Sequence, residues 1–369
     1  MKRSFLTVTA VLALAAGATP VLAQETPPPR FEERVDVTEV LLDVLVTDRD
    51  NNVIIGLKPE DFVVEEDGKA VPVRDVTFYS NRRYLGNAEA AAAQGIKLNE
   101  VQEDRYFILF FHDQQTANFE APGLMARQME AAREARRWVR EERLPNDWVA
   151  VVSYDHKLKV QQDFTRKEAD LLRAVDGASQ GRDPGGNWPS RAADDKGPSL
   201  LARLPRGNEL RDQTATIYDG IETLAEAAGA VRGRKNMILF TIGFGTINSF
   251  GQYIPDPRYY PDMQQALNDN NVAVYAVDLV PTGTDHTMSS AMNQLALDTG
   301  GRYYFNFTSF ITPLRQLAED NNGYYLLAYE SRHPQGETGY TEVTVKTKNP
   351  DFRVRAREGY LFGEEVAAK

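Results

Sequence analysis

The sequence predicts an α/β protein with a doubly wound, mostly parallel sheet and, beside it, a small β-sandwich built from strands at both ends of the chain. Between residues 105 and 322, apolar runs typical of buried strands alternate with amphipathic helical segments, which is the order of a parallel sheet with crossover helices. In residues 35–83 and 323–363, apolar and polar residues alternate, as they do in strands with one buried face. We expect the strands of these two end segments to pair with one another.

Composition excludes several classes of protein. The 369 residues are 42% hydrophobic and carry a formal net charge of −11. An acidic chain lacks the basic surface that binds nucleic acid, so we expect no nucleic-acid partner. The sequence contains no cysteine, which excludes disulfides, thiol nucleophiles and zinc–thiolate sites.

The first 23 residues have the order of a signal peptide. Lys2 and Arg3 precede an apolar stretch from Phe5 to Ala16, and Val21 and Ala23 stand at the −3 and −1 positions of a cleavage site. The apolar stretch is shorter than the about 18 residues that a membrane span needs, and no later stretch reaches that length. We therefore expect cleavage near Ala23, export to the periplasm or the outside, and no transmembrane segment.

The N-terminal part of the mature chain is predicted to be β-structure. Residues 24–34 contain three consecutive prolines and predict an extended tether. Residues 35–83 predict four short strands separated by polar turn residues such as Asp67-Gly68. The predicted strands are 40–46, 53–57, 62–66 and 71–79. Residues 84–104 are rich in Ala and polar residues and predict a connector.

In the central region the apolar period changes. Tyr106–Phe111 is a continuous apolar run, typical of a strand buried on both faces, and the next segment has apolar residues spaced by three or four from Met125 to Val139. A strand at 148–154 and a helix opened by a capping box at Thr165–Glu168 follow, and residues 177–211 predict a surface excursion. The remaining predicted elements are helix 217–229, strand 237–241, helix 262–270, strand 272–277, helix 289–299, strand 302–305, helix 311–320 and strands 324–329, 341–347 and 352–357.

A series of short motifs points to a known family. They are Leu57-Lys58-Pro59-Glu60-Asp61-Phe62 with Glu66-Asp67-Gly68-Lys69, Leu109 to Asp113, Asp147 to Ser153, Asp163-Phe164-Thr165, Thr299-Gly300-Gly301-Arg302-Tyr303, Tyr324-Tyr325-Leu326-Leu327, and Val354 to Tyr360. In this order they resemble the VWFA-related domain proteins of the Acidobacteria type, over residues 31–362. The resemblance implies a von Willebrand factor type A fold, which is Rossmann-like, with a β-sandwich made from both termini.

The resemblance also implies a divalent-cation site at the C-terminal end of the sheet, formed by a D-x-S-x-S loop, a Thr and an Asp. Asp113 stands at the first position, but Gln115 and Ala117 replace the two serines and Ile242 replaces the second Asp. Mg²⁺ needs hard oxygen ligands, which Ala and Ile do not supply. We therefore expect a degenerate adhesion site and no cofactor, with Mg²⁺ held by Asp113 and Thr216 as the alternative. Without a metal, Asp113 is expected to cap neighbouring backbone amides.

Loops at the C-terminal ends of parallel strands are the natural binding surface of such a sheet. The candidate binding residues on these loops and on the excursion are Asp113, Gln115, Thr116, Thr214, Thr216, Gly243, Phe244 and Trp188. Thr116 can replace a missing serine ligand one position early, and Thr214 and Thr216 flank the position of the family's Thr. Trp188 is either a contact residue on the excursion or packed on the flank of the domain.

Motifs for catalysis are weak. Gly243-Phe244-Gly245 lacks the third glycine of a dinucleotide fingerprint, and the chain has no G-x-S-x-G, H-E-x-x-H or P-loop motif. His112 is of interest only because it adjoins Asp113 at a strand end. The first hypothesis is an exported, non-enzymatic module that binds a protein or a cell-envelope component without a metal. The alternatives are an envelope hydrolase using Asp113 and His112, and a metal-dependent adhesion module.

Overall fold

The fold is described from a computed structural model, in residues 39–49, 52–80, 104–112, 121–184, 197–281, 288–321, 323–333 and 337–362. The predicted signal peptide and tether, and residues 84–103 of the predicted connector, lie outside the described residues. The chain divides into two units, Met1–Asp36 and Val37–Lys369, and every described residue belongs to the second.

Sixteen strands and seven α-helices make up the described part. The strands are β1 (Glu39–Thr47), β2 (Phe62–Glu66), β3 (Lys69–Val71), β4 (Val73–Ser80), β5 (Arg105–His112), β6 (Asp147–Tyr154), β7 (Leu158–Thr165), β8 (Lys235–Thr241), β9 (Thr246–Ile247), β10 (Tyr253–Ile254), β11 (Val272–Asp278), β12 (Arg302–Tyr304), β13 (Gly323–Glu330), β14 (Gly339–Thr347), β15 (Arg353–Arg355) and β16 (Gly359–Phe362). The helices are α1 (Ala121–Glu141), α2 (Glu168–Ser179), α3 (Asn208–Gln213), α4 (Ile217–Ala228), α5 (Tyr260–Asp269), α6 (Ser289–Asp298) and α7 (Ile311–Asp320), with a 3-10 helix at Pro59–Asp61.

A six-stranded sheet forms the centre of the α/β part, and the prediction of a mostly parallel sheet is confirmed. Its strand order is β12-β11-β8-β5-β6-β7. All neighbours run parallel except β6 and β7, which are antiparallel. The chain first builds outward from β5 to β6 and β7 and then returns to place β8 on the other side of β5, so the strand order reverses between β5 and β8.

Helices cover both faces of this sheet because the side chains of each strand alternate between two apolar clusters. Ile108 and Phe110 of β5 belong to the cluster that includes residues of α4, α5 and α6. Phe107, Leu109 and Phe111 belong to the cluster that includes residues of α1, α2 and α7. The continuous apolar run of β5 therefore reflects burial on both faces, as the sequence predicts.

Strands from the two ends of the chain pair in two four-stranded sheets. One has the order β15-β1-β13-β4 and the other has the order β16-β14-β2-β3. β1 pairs antiparallel with β13, and β2 pairs antiparallel with β14. Both sheets contribute to a third apolar cluster, in which Leu42, Leu327, Val64 and Val343 are buried.

Two predicted N-terminal strands differ from the structure. Residues 53–57 form no strand beyond a single bridge between Val53 and Thr47. Their backbone is held instead by the hydroxyl of Tyr325, which donates to the carbonyl oxygen of Ile54 (3.0 Å) and accepts from the N–H of Leu57 (3.1 Å). The predicted strand 71–79 divides at Pro72 into β3 and β4, which lie in different sheets. Proline has no N–H to donate to a ladder, which accounts for the break.

The predicted capping box at Thr165–Glu168 is wrong. Thr165 ends β7, and α2 begins at Glu168 with Lys167 at the N-cap and no side-chain cap. The Thr165 hydroxyl accepts a hydrogen bond from the N–H of Lys167 (3.1 Å), so it bonds to the linker before the helix. The sequence reasoning also missed β7 itself.

The described part of residues 177–211 does not form the surface excursion that the sequence predicts, because part of it is buried. Leu200, Leu204 and Leu210 are 0, 4 and 0% exposed and belong to the cluster beneath α4, α5 and α6. The segment ends in α3. Among the described residues, no helix is long and apolar enough to cross a membrane.

Candidate functional site

The C-terminal ends of the parallel strands line up along one edge of the six-stranded sheet, which we call the C-terminal edge. His112 at the end of β5 pairs with Tyr154 at the end of β6, and Asp278 of β11 pairs with Thr241 of β8. Phe111 pairs with Phe240 one residue earlier, so the ends of β5 and β8 are level. This register places His112, Tyr154, Thr241 and Asp278 in one row.

His112 is buried at the centre of this row. Its Nδ1 lies 2.8 Å from the hydroxyl oxygen of Thr241, and its ring packs edge-on against Tyr154 (6.0 Å) and Phe244 (5.7 Å). Burial lowers the pKa of His112 from 6.5 to about 3. The imidazole is therefore neutral near pH 7 and too weak a base to suit general-base catalysis.

Thr241 organises the turn that follows β8. Its hydroxyl oxygen also accepts a hydrogen bond from the N–H of Gly243 (2.8 Å). Gly243 has φ of +98°, and a Cβ there would lie 2.7 Å from the Cβ of Met288, so this position requires glycine. Gly243 is accordingly a structural residue of the turn.

Phe244 lies inside the protein rather than on its surface. It is 7% exposed and packs edge-on against Tyr218 at 5.0 Å. Ile242 is half-buried and packs against the apolar cluster that includes α1, α2 and α7. The turn therefore presents apolar side chains to the interior at the position where a cation site needs a carboxylate.

Thr214 and Thr216 use their hydroxyl groups to hold the chain. The Thr214 hydroxyl donates to the carbonyl oxygen of Leu210 (2.7 Å) and accepts from the N–H of Leu158 (3.3 Å). Thr216 is the N-cap of α4: its hydroxyl accepts from the N–H of Asp219 (3.1 Å), and the Asp219 carboxylate accepts from the N–H of Thr216 (2.9 Å). This is a capping box, which stabilises the start of the helix.

Asp278 is the acidic side chain in the described row, and it is also bonded internally. One carboxylate oxygen accepts from the Tyr303 hydroxyl (2.6 Å) and the other from the N–H of Val280 (2.8 Å). Asp278 is 5% exposed. Sequence reasoning overlooked this residue, although its place directly after a predicted strand was the available signal.

Apolar side chains are exposed at the same edge. β9 and β10 form a hairpin in the connection after β8, with Ile247 57% and Phe250 86% exposed. The Asn248 side-chain oxygen accepts from the N–H groups of Phe250 (2.9 Å) and Gln252 (3.0 Å), which fixes the hairpin turn. Phe305, directly after β12, is 57% exposed and stacks on Tyr303 at 5.2 Å. Sequence reasoning missed the hairpin and both phenylalanines.

The first loop of the predicted cation site lies outside the described residues. This applies to Asp113, Gln115, Thr116 and Ala117, and also to Trp188 of the predicted excursion. Within the described ranges, no three His, Asp or Glu side chains are grouped so that they could hold a metal ion. The described side chains at this edge are thus either apolar or hydrogen-bonded within the fold.

Comparison with known proteins gives no family assignment. No protein-family model matches the sequence, and no curated protein matches it. Among solved structures, similarity is found to proximal thread matrix protein 1 from the mussel byssus, with a TM-score of 0.35 and 14% identity. That alignment covers 58% of this chain and 47% of the other, so this chain spans about half of the mussel protein's length.

Two bacterial structures are similar to a comparable degree. The conserved hypothetical protein BatB from Bacteroides thetaiotaomicron has a TM-score of 0.34 and 13% identity, with 58% of this chain and 96% of that chain covered. Three N-terminal domains of the type V pili tip protein Mfa5 from Porphyromonas gingivalis have a TM-score of 0.38 and 9% identity. That alignment covers 89% of this chain and 66% of the other.

Proposed function

We propose that the protein is an exported, non-enzymatic binding module that recognises a protein or a cell-envelope component through the C-terminal edge, without a metal ion. One observation carries the proposal. Ile247, Phe250 and Phe305 are exposed at an edge where the described polar groups bond to their own backbone and neighbours. Exposed aromatic side chains on a fixed turn are typical of protein contacts, since they bury a large area at a small cost in conformational entropy.

The hairpin provides the test. Phe250→Ser removes the most exposed of these side chains, and Leu297→Ser, at a 52% exposed position near the end of α6, is the matched control. Capture from envelope extract, quantified by mass spectrometry, should give a partner that the wild type and Leu297→Ser retain and Phe250→Ser loses. If all three proteins capture the same set in the same amounts, the proposed surface is wrong.

We also propose that this binding does not require a metal ion. The hydroxyls of Thr214 and Thr216 are hydrogen-bonded within the fold and Ile242 packs inward, which supports it. We expect no stabilisation by Mg²⁺ or Mn²⁺, whereas a site with Kd near 10 μM would add about 2.7 kcal/mol at 1 mM by mass action. Thermal unfolding with the cation and with EDTA measures this, and a rise in Tm that EDTA reverses would restore the metal-dependent alternative.

We propose that the α/β part is a von Willebrand factor type A domain and that the two four-stranded sheets form a β-sandwich beside it. The reversal of strand order at β5 and β8 supports the first statement, and the shared apolar cluster supports the second. A crystal structure of the mature protein would test both.

Export rests on the sequence of residues 1–23. We propose cleavage after Ala23, because Lys2 and Arg3, the apolar stretch and the −1 alanine stand in signal-peptide order. The intact mass of the protein recovered from its native host measures this. A mature chain that still begins at Met1 would contradict it.

A further inference from the structure

A cleft of about 760 Å³ lies at the end of the parallel sheet opposite to the C-terminal edge. Tyr106 and Asn236, near the starts of β5 and β8, and Asn271, directly before β11, line it. Because these strands are parallel, their starts share one edge. The volume falls within the range of about 300–1,000 Å³ that small-molecule sites occupy.

The facing wall is the outer surface of the sheet that contains β1, β13 and β4. Register pairs Tyr324 with Tyr79 and Leu326 with Asp43, so these side chains share one face, opposite to the buried Leu42 and Leu327. The rings of Tyr79 and Tyr324 stack at 5.3 Å with an interplanar angle of 20°.

Two leucines complete this wall. Leu41, two residues before Asp43, is 50% exposed and lines the cleft together with Leu326. The wall is therefore mainly apolar and aromatic, with Asp43 as its charged residue, and the other side of the cleft carries Asn236 and Asn271.

Three arginines line the cleft, and two are engaged in the fold. Arg105 makes a paired contact with the carboxylate of Asp147, at 2.6 and 2.8 Å. Arg234 donates to the carbonyl oxygen of Gly300 at 2.7 Å. Arg232 is exposed, and none of the described residues forms an ion pair or hydrogen bond with its guanidinium.

The two acidic residues of the lining are also engaged. Asp104 accepts from Arg166 at 2.6 Å, and Asp43 accepts from the side-chain amide of Asn271. Asp104 is paired with the guanidinium of Arg166, whereas the neutral amide of Asn271 leaves the negative charge of Asp43 in place. Neither carboxylate forms an ion pair with Arg232 among the contacts of the described residues. The cleft thus combines one available guanidinium with an apolar wall, although the chain as a whole carries a net charge of −11.

We propose that this cleft binds a small organic ligand that bears a carboxylate and an aromatic or branched aliphatic group. The planar guanidinium of Arg232 matches a carboxylate, which it can hold through two parallel hydrogen bonds. The apolar group packs against Leu41 and Leu326, beside the stacked tyrosines. A site at the junction of two layers of the fold is a common place for such ligands.

The test uses N-acetyl-L-phenylalanine and, as the uncharged match, its carboxamide, each titrated calorimetrically into the mature protein. The wild type should bind the acid about tenfold or more tightly than the amide, because only the acid forms the charged pair. Arg232→Ala should abolish that preference. Arg203→Ala, at another exposed arginine outside the cleft lining, should keep it.

An acetylated pentapeptide that ends in Phe distinguishes the two sources of this chemistry. Binding as tight as that of the amino acid assigns the cleft to peptide C-termini, whereas binding of the amino acid alone assigns it to small carboxylates. The proposal is overturned if the wild type does not distinguish acid from amide, if neither binds at about 10 mM, or if Arg232→Ala behaves as Arg203→Ala does. Matched thermal unfolding of the two variants shows that each remains folded.

Discussion

At the scale of single residues, the ligands that the C-terminal edge can bind depend on the hydrogen bonds that each of its side chains already makes within the fold. Thr214 and Thr216 flank the position where a hydroxyl ligand is expected, yet each hydroxyl oxygen holds a backbone N–H in place, as that of Thr241 does in the neighbouring turn. A hydroxyl has few sites for hydrogen bonds, so a group that caps a helix or fixes a turn is poorly placed to bind a cation as well. Residue type alone could not predict this, because it depends on which N–H lies nearby.

His112 provides the residue-scale prediction. Its folded pKa of about 3 lies below its ordinary 6.5, so between these values the unfolded chain binds more protons and stability falls as pH falls. His112→Gln removes the titration and keeps a side chain that can bond to Thr241. The unfolding free energy of the wild type minus that of the variant should therefore drop by about 2 kcal/mol from pH 7.5 to pH 5.

Urea unfolding at a series of pH values measures this difference. His156→Gln, at an exposed position, is the control for general effects of removing a histidine. A wild-type advantage that stays constant across the range would show that His112 titrates equally in both states, contrary to its burial in the structure.

At the scale of elements, β7 shows where sequence periodicity fails. Its sequence LKVQQDFT carries four polar or charged residues before Phe164, yet every position is buried. Lys159 bonds to Asp155 (2.6 Å), and the amide of Gln161 bonds to the Ser153 hydroxyl (3.1 Å). Such pairing makes buried polar residues tolerable, but it is specified by distant partners and leaves no periodic signal. β5 and β11, whose residues 106–111 and 272–277 are continuously apolar, could be predicted for the opposite reason.

Asp163 at the end of β7 carries the element-scale prediction. Its carboxylate accepts from the N–H groups of Leu200 (2.8 Å) and Leu201 (3.3 Å) and from the Ser199 hydroxyl (2.6 Å). These bonds fix the start of the segment that buries Leu200. Asp163→Ala leaves the buried N–H of Leu200 without an acceptor, at about 1–3 kcal/mol, and removes two half-buried hydrogen bonds, so the free energy of local opening of residues 197–213 should fall by about 2 kcal/mol.

Amide hydrogen exchange measures that opening directly. Glu168→Ala, at an exposed position in the first turn of α2, should leave exchange in 197–213 unchanged. Equal protection in Asp163→Ala and the wild type would mean that apolar packing alone holds the segment.

At the scale of the whole molecule, alternation of strand and helix was sufficient to predict the five parallel strands of the central sheet but not its antiparallel edge strand β7, and alternation of side chains indicated that the end segments need partners. Which end strand pairs with which could not be read from the sequence. The structure inserts β13 between β1 and β4 and sends β2 to the other sheet with β14. Pro72 is the local cause of one switch, whereas the pairings themselves depend on long-range burial of Leu42 and Leu327.

The junction between the end strands and the α/β part contains a buried charged contact. Arg355 of β15 lies 2.8 Å from the carboxylate of Asp320 at the end of α7, with side-chain exposures of 11 and 1%. Because removal of one partner strands the other charge in a dry site, Asp320→Asn should lower the unfolding free energy by about 3–5 kcal/mol.

A double substitution separates this charge effect from general damage to the junction. Adding Arg355→Met to Asp320→Asn removes the stranded cation while retaining an apolar stem, and urea unfolding should show most of the loss recovered. The exposed pair of Arg49 and Asp351, with exposures of 75 and 63%, is the matched surface contact, and Asp351→Asn should change stability by less than about 1 kcal/mol. If the double variant is no more stable than Asp320→Asn alone, Asp320 stabilises the junction through other contacts, such as that with Arg302 at 3.8 Å, and Arg355 is not its essential partner.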